Sequence, residues 1–325
     1  MNKQAYNQPL SQLSILQHFL LNSLSKFKPY QINLLNEWIY ANRQKIKAKG
    51  ITKNIIKKLK QSYPVEYITG YTYFYNQKFF VKYNKCKVYI PSLDSEKIID
   101  KAFQQVIKIY SNPNNQNLNL LILDLGTGSG ALLLSLYSKL KNYYASNKPN
   151  NAKYNANFEN AFTFIGTDIS SCAIKIARKN KKSIAPLAKN IKLIKANIIF
   201  KPTSTNTSSN TKNMFLISKL QVHNLIRNAI NKKNFIIILF NKPYVTQKQY
   251  QKLEKTMYYY PKKALLETQS FKYTYQEFIK YLNKLKYKKY IFYIQETRYS
   301  KNKMRPKLIT KLFLILTPLQ TKTNY

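Results

Sequence analysis

Apolar residues near the start of the chain recur at three- and four-residue intervals: Ile15, Leu16, Phe19 and Leu20, then Leu34, Leu35, Trp38 and Ile39. That spacing lays an apolar face along an α-helix. Gly50 ends one element, and Thr52 stands where it could cap the next. Pro64 stops that helix, whose apolar face is Ile55, Ile56 and Leu59. Residues 1–70 therefore read as a helical domain with Trp38 in its core. The pattern changes at Tyr71. From there to Ile90 the chain is rich in Tyr, Phe and Val, with Asn76-Gln77 as a turn signal. This predicts a β-hairpin over 71–90 that joins the helices to the rest of the chain.

After Pro91 a helix begins near Asp94, with Ile98, Ile99, Ala102, Phe103 and Val106 on its apolar side. Short apolar runs then alternate with helical stretches: Leu120–Leu123, Ala131–Leu140, Phe162–Gly166, a helix carrying Ala173, Ile174, Ile176 and Ala177, and Ile191–Ile194. The run Phe235–Phe240 is apolar throughout, as a strand buried on both faces must be. A helix near 275–286 and strands near 289–295 and 312–316 complete the pattern. Strands alternating with helices predict a doubly wound, Rossmann-like α/β domain with a parallel core over 91–325. Polar stretches at 111–119 and 142–160, and the low-complexity segment 201–213, read as surface loops.

The formal charge of +43 would ordinarily signal a nucleic-acid partner. Here lysine is spread along the whole chain, and Asn, Ile, Tyr and Phe are abundant while glycine is scarce. AT-rich coding favours that composition, so much of the charge is attributed to mutational bias. Nonspecific RNA or ribosome contact at low salt is still expected. No apolar run is long enough to span a bilayer, and the N-terminus lacks a signal-peptide pattern. The expectation is a cytoplasmic monomer without membrane contact. Cys86 and Cys172 match no disulfide framework or zinc spacing, so each reads as a small packing residue in a reducing compartment, and no metal is expected.

Three segments carry chemistry. Leu121-Ile122-Leu123-Asp124-Leu125-Gly126-Thr127-Gly128-Ser129-Gly130 sits where an apolar strand gives way to a helix. Glycines there allow a tight turn and close approach of backbone to ligand, and the helix start offers amide donors. The spacing is not that of a phosphate-binding loop, and no Gly-Lys-Ser/Thr comes after it. Asp168 ends the next strand, where a carboxylate can accept both hydroxyls of a ribose, and Ile169 beside it could pack on an adenine. Asn241-Lys242-Pro243-Tyr244 comes directly after Phe240. It is a variant of Asn-Pro-Pro-Tyr, a signature in which the Asn side chain and a backbone carbonyl hold an NH₂ group for methylation and the tyrosine ring packs on a planar substrate.

The glycine segment with Asp124 resembles motif I of class I methyltransferases. Pro64-Val65-Glu66-Tyr67-Ile68-Thr69-Gly70, Phe74, Phe80-Val81 and Ile90-Pro91-Ser92-Leu93-Asp94-Ser95-Glu96 resemble the joint of the release-factor glutamine methyltransferases (the HemK type), as do Tyr260-Pro261 and Ala264-Leu265 further on. The resemblance spans about residues 55–295. It implies S-adenosylmethionine as cofactor, held by Asp124, Gly126, Thr127, Gly128, Gly130, Asp168, Ile169, Asn197 and Asn241. It implies catalytic Asn241, Pro243 and Tyr244, with Lys242 joining them in binding substrate. The implied partner is a peptide chain release factor, methylated on the glutamine of its Gly-Gly-Gln loop, with residues 1–70 recognising it. Ser92, Leu93, Lys242, Tyr259 and Asn197 depart from the family pattern. Two other readings are an adenine amino-methyltransferase on DNA or rRNA, and a non-catalytic relative that binds RNA or the ribosome.

Overall fold

The computed structural model describes residues 12–46, 51–112, 119–146, 158–196, 220–232, 234–267, 290–299 and 308–315. The chain opens with helices α1 (Gln12–Leu21), α2 (Pro29–Ala41), α3 (Arg43–Ile46) and α4 (Ile51–Lys60), and then the short α5 (Val65–Thr69). Leu16, Leu20, Leu34, Leu35, Ile39, Ile46, Ile55 and Leu59 close on one another, with Trp38 half-buried against them. Thr52 is not a cap. It lies inside α4, fully buried, because the helix begins at Ile51, two residues before the start that a cap at Thr52 would set. Buried Glu66 accepts hydrogen bonds from Tyr30 Oη at 3.0 Å and Gln31 Nε2 at 3.2 Å, which ties α2 to α5.

The joint is two small hairpins rather than one. Strands β1 (Tyr71–Phe74) and β2 (Gln77–Phe80) pair antiparallel, as do β3 (Lys82–Tyr83) and β4 (Cys86–Lys87). The first turn is Tyr75-Asn76, both at positive φ, one residue before the expected position. Cys86 and Cys172 are joined in a disulfide, with Cα atoms 5.0 Å apart, which corrects the reading of two reduced packing residues. Sequence spacing could not reveal the pair: the two lie 86 residues apart. They meet because Ala173 and Ile176 pack with Val81, Val88 and Ile90 in one apolar cluster.

The chain continues through helix α6 (Glu96–Tyr110), strand β5 (Leu120–Leu125), helices α7 (Ala131–Ser146) and α8 (Phe158–Ala161), strand β6 (Phe162–Asp168), helix α9 (Ser171–Ile184) and strand β7 (Ile191–Lys195). Next come helix α10 (Leu220–Asn231), strand β8 (Phe235–Phe240), the short helices α11 (Gln247–Tyr250) and α12 (Lys262–Leu265), and strands β9 (Tyr290–Tyr299) and β10 (Leu308–Ile315). The expected helix near 275–286 and the segment 201–213 lie outside the described residues. One six-stranded sheet has the order β10-β9-β8-β5-β6-β7. All its neighbouring pairs are parallel except β9 with the terminal β10. This is the expected doubly wound α/β fold with a parallel core.

Burial explains the order. Ile236, Ile237, Ile238 and Leu239 are fully buried, as the central position of β8 requires. The chain runs outward from β5 to β6 and β7, then returns to place β8 on the other side of β5. That reversal makes the ends of β5 and β8 a switch point, the place where parallel sheets open a crevice. Gly166 in β6 leaves no room for a side chain. A Cβ there would lie 2.8 Å from Leu193 Cδ2, 2.9 Å from Thr127 Oγ1 and 3.1 Å from Leu133 Cδ2. Gly166→Ala is therefore expected to cost about 1–3 kcal/mol, the scale of overpacking, as a lower midpoint in urea unfolding. An unchanged midpoint would mean that the core yields freely around β6.

Candidate active site

The carboxyl ends of three adjacent strands bring the expected residues together. Asp124 in β5 is in register with Gly166 of β6 and Leu239 of β8, so the glycine loop, Asp168 and Asn241 emerge side by side. They line one cavity of about 400 Å³, within the range of cofactor sites. Of the residues expected at the site, Asp124, Gly126, Thr127, Gly128, Asp168, Ile169, Asn241, Lys242, Pro243 and Tyr244 all border it. Two others are not among them. Gly130 does not border the cavity; it faces Leu134 and Ala177, where a Cβ would come within 3.2 Å of Leu134 Cδ1, so it serves packing of α7 on α9. Asn197 lies outside the described residues.

The loop after β5 is held by its neighbours. Thr127 N donates to Thr167 O at 2.8 Å, and Thr127 Oγ1 donates to Asp124 Oδ2 at 2.6 Å. Gly128 has a φ of 56° and donates its N–H to Asp168 Oδ2 at 3.0 Å. A Cβ at Gly128 would meet only Gly126 O, at 3.9 Å, so an added methyl there would clash with no neighbour. It would strain the backbone and occupy ligand space. The other oxygen of Asp168 accepts from Ser170 N at 2.8 Å, and Ser170 Oγ caps α9. A carboxylate has about four lone-pair positions, so acceptor capacity remains for a ligand.

Sequence reasoning missed the residue that fastens this arrangement from behind. Asn180 is fully buried in α9. It accepts from Phe80 N at 2.8 Å and donates to Phe80 O at 2.9 Å and Ser129 O at 2.8 Å. One amide thus joins the hairpin, α9 and the glycine loop. Nothing marks it beforehand, because this chain is rich in asparagine and the partners are backbone atoms.

Asp124 is buried and Asp168 is partly buried. The Asp124 carboxyl is pushed up to about 7, mainly by desolvation; its bond from Thr127 opposes this and the charge of Asp168 adds to it. Desolvation also raises Asp168, against the bonds from Ser170 and Gly128.

On the other side of the cavity, residues 241–245 are pinned at several points. Val245 N donates to Leu265 O, and Glu267 N donates to Val245 O. Lys242 is 7 % exposed and its Nζ lies 3.0 Å from Glu267 Oε1. Where the signature has a ring-locked proline, this chain has a buried cation tied to the neighbouring segment. Tyr244 Oη lies 3.2 Å from Tyr89 Oη, and burial, with Tyr89 second, raises its phenol. Asn241 Nδ2 donates to Ser95 Oγ at 3.2 Å. Ser95 and Tyr89 border the cavity without having been singled out as site residues. Lys87, Lys262 and Lys263 also border it. No helix among the described residues is long and apolar enough to cross a membrane.

No protein-family profile matches this chain, and no curated protein matches it in sequence. Several solved structures resemble it. An S-adenosylmethionine-dependent methyltransferase from Agrobacterium tumefaciens aligns over 75 % of this chain and 68 % of its own, at 10 % identity and a TM-score of 0.34. The human METTL16 catalytic domain in complex with a MAT2A 3′UTR hairpin aligns over 74 % and 77 %, at 12 % identity and 0.35. A putative protein-L-isoaspartate O-methyltransferase from Plasmodium falciparum, in complex with S-adenosyl-L-homocysteine, aligns over 88 % and 95 %, at 12 % identity and 0.28. At these values the likeness is one of general architecture.

Proposed function

We propose that this protein transfers the methyl group of S-adenosylmethionine to a planar NH₂ nitrogen, the side-chain amide of the glutamine in the Gly-Gly-Gln loop of a peptide chain release factor. The observation that carries this reading is the placement of Asn241 at the end of β8, bordering the same cavity as the glycine loop and Asp168. The choice of glutamine rests on the resemblance of Pro64–Gly70 and Ile90–Glu96 to the release-factor enzymes. Residues 1–70 would then recognise the release factor.

The residues present fit the cofactor. Asp124 would face its ammonium group, the open backbone of Gly126 and Gly128 its amino-acid part, Asp168 its ribose and Ile169 its adenine. When bound, S-adenosylmethionine supplies an electrophilic methyl on a sulfonium: the N–C bond forms as the S–C bond breaks, the nitrogen's proton passes to solvent, and a neutral thioether leaves. The chain's own work is orientation. An amide nitrogen is a poor nucleophile because its lone pair is delocalised. Asn241 Oδ1 and the Lys242 carbonyl would accept hydrogen bonds from the NH₂ group and align it, an effect that can supply several kcal/mol of a limit near ~7–11 kcal/mol.

Asp124 gives this reading a pH signature. A cation beside a carboxyl favours its ionised form, so binding the cofactor releases a proton from Asp124 wherever the free site is protonated. Cofactor affinity is therefore expected to rise with pH up to about 7, the value for the free protein, and to level off there. Calorimetry in buffers of different ionisation enthalpy measures the proton. Asp124→Asn should abolish both the release and the slope; a proton release that survives this change assigns it elsewhere.

A second reading, an adenine amine in RNA or DNA, is favoured by the lysines and tyrosines that border the cavity: Lys87, Lys262, Lys263, Tyr89 and Tyr244. The deciding experiment is a methyl-transfer assay on an intact release factor, beside a copy whose loop glutamine is replaced, and on RNA at physiological salt. Methylation that persists on the replaced copy excludes the glutamine. Methylation of RNA alone selects the second reading. Absence of any affinity for the cofactor would leave a non-catalytic binding protein.

A further inference from the structure

We propose that Ser95 is a positioning residue that fixes which end of the Asn241 side-chain amide faces the acceptor, and that Ser92 sets the direction of the hydroxyl that does so. This rests on the reading of Asn241 as the group that orients the acceptor NH₂.

An asparagine amide has two ends of nearly the same shape and opposite hydrogen-bonding sense. Only the oxygen end can accept from an NH₂ group. If the amide turns over, it presents donors to a donor, and the acceptor nitrogen loses its alignment. Something must therefore fix the polarity of Asn241. Ser95 is 1 % exposed, at the end of a 3₁₀ turn (Leu93–Ser95) that leads into α6. Its Oγ lies 3.2 Å from Asn241 Nδ2 and 3.1 Å from Ser92 Oγ.

A hydroxyl has one proton to give. If Ser95 gives it to Ser92, Ser95 Oγ is left only lone pairs for Asn241, so Nδ2 must face it. If Ser95 gave it to Asn241, the amide would turn over. Ser92 is available for this task because its hydroxyl makes no capping bond to the turn that it precedes. Ser95 N also donates to Ser92 O at 2.9 Å, which holds the two side chains in register. The proposed order of donation is Asn241 Nδ2 to Ser95 Oγ to Ser92 Oγ. It leaves Asn241 Oδ1, which accepts no hydrogen bond among the described residues, for the acceptor.

The test uses the full-length protein with ¹⁵N-labelled asparagine and a methyl-transfer assay. Ser95→Ala is expected to lower kcat about threefold to tenfold, the weight of one neutral hydrogen bond, while affinity for S-adenosylmethionine stays the same. Ser95→Thr, which keeps the hydroxyl, should restore the rate, and Ser92→Ala should cause a smaller loss. In an Asn241→Ala background, Ser95→Ala should have no further effect, because Ser95 acts only through Asn241. Independently of turnover, the side-chain NH₂ resonances of Asn241, assigned by their loss in Asn241→Ala, should shift in Ser95→Ala and return in Ser95→Thr. An unshifted NH₂ pair in Ser95→Ala, or losses at Ser95 and Asn241 that multiply, overturns the proposal. Shifted resonances in a protein that methylates no release factor would uphold the Ser95 assignment and sink the glutamine reading instead.

Discussion

Asn241→Ala is expected to slow methyl transfer by ~10²–10³, the cost of removing one positioned partner of the transition state. Affinity for S-adenosylmethionine should change little, because in the proposed arrangement Asn241 addresses the acceptor. The surrounding structure makes this a clean experiment. The loop that carries Asn241 is held by Val245, by the Lys242–Glu267 pair and by the contact between Tyr244 and Tyr89, none of which involves the Asn241 side chain. The variant should therefore fold and keep its loop in place. Single-turnover rates with a release factor, beside calorimetric titration of the cofactor, separate the two effects. A rate that does not move would remove Asn241 from the chemistry.

Asp168→Ala should weaken the cofactor by roughly 1.5–3 kcal/mol, the scale of hydrogen bonds to a charged group, or about 10- to 150-fold in Kd. The loss has two sources. One is the ribose, for which Asp168 would supply acceptors. The other is the glycine loop, because Asp168 also holds the N–H groups of Gly128 and Ser170. Asp168→Asn keeps one oxygen and should fall between the parent and alanine. An alanine variant with parental affinity would show that the ribose, if bound at all, is held elsewhere.

The sequence made the sheet legible because burial on both faces leaves a mark that composition cannot hide. Phe235–Phe240 is apolar at every position and lies between β5 and β9. The glycine loop and Asp168 were legible for a related reason: a strand end, then residues that only a close-approaching backbone needs. What stayed hidden were relations between distant segments. Asn180 bonds to backbone atoms of Phe80 and Ser129, and backbone acceptors carry no sequence signal. Ser95 takes its meaning from Asn241, 146 residues away. Gly130 shares its spacing with Gly126 and Gly128, yet the helix that starts beside it turns it from the cavity toward Ala177. Spacing alone does not tell a glycine that meets ligand from one that meets a helix. Lys242 reads as the loss of a rigid proline in sequence, and only the fold sets Glu267 beside it.

The position of Trp38 has an optical consequence. It is the only tryptophan in a chain with 28 tyrosines, and it packs against the apolar cluster of the N-terminal helices. Light absorbed by tryptophan alone therefore returns a signal from that cluster and from nowhere else, whereas far-ultraviolet circular dichroism averages over every helix and strand. Melting the protein while recording both gives two curves from one sample. Coincident midpoints mean that helices and sheet come apart as a single cooperative unit. A tryptophan curve that moves first means that the helical cluster opens while the sheet still stands; under the proposed function, a release factor would then meet a surface that can loosen without disturbing the glycine loop.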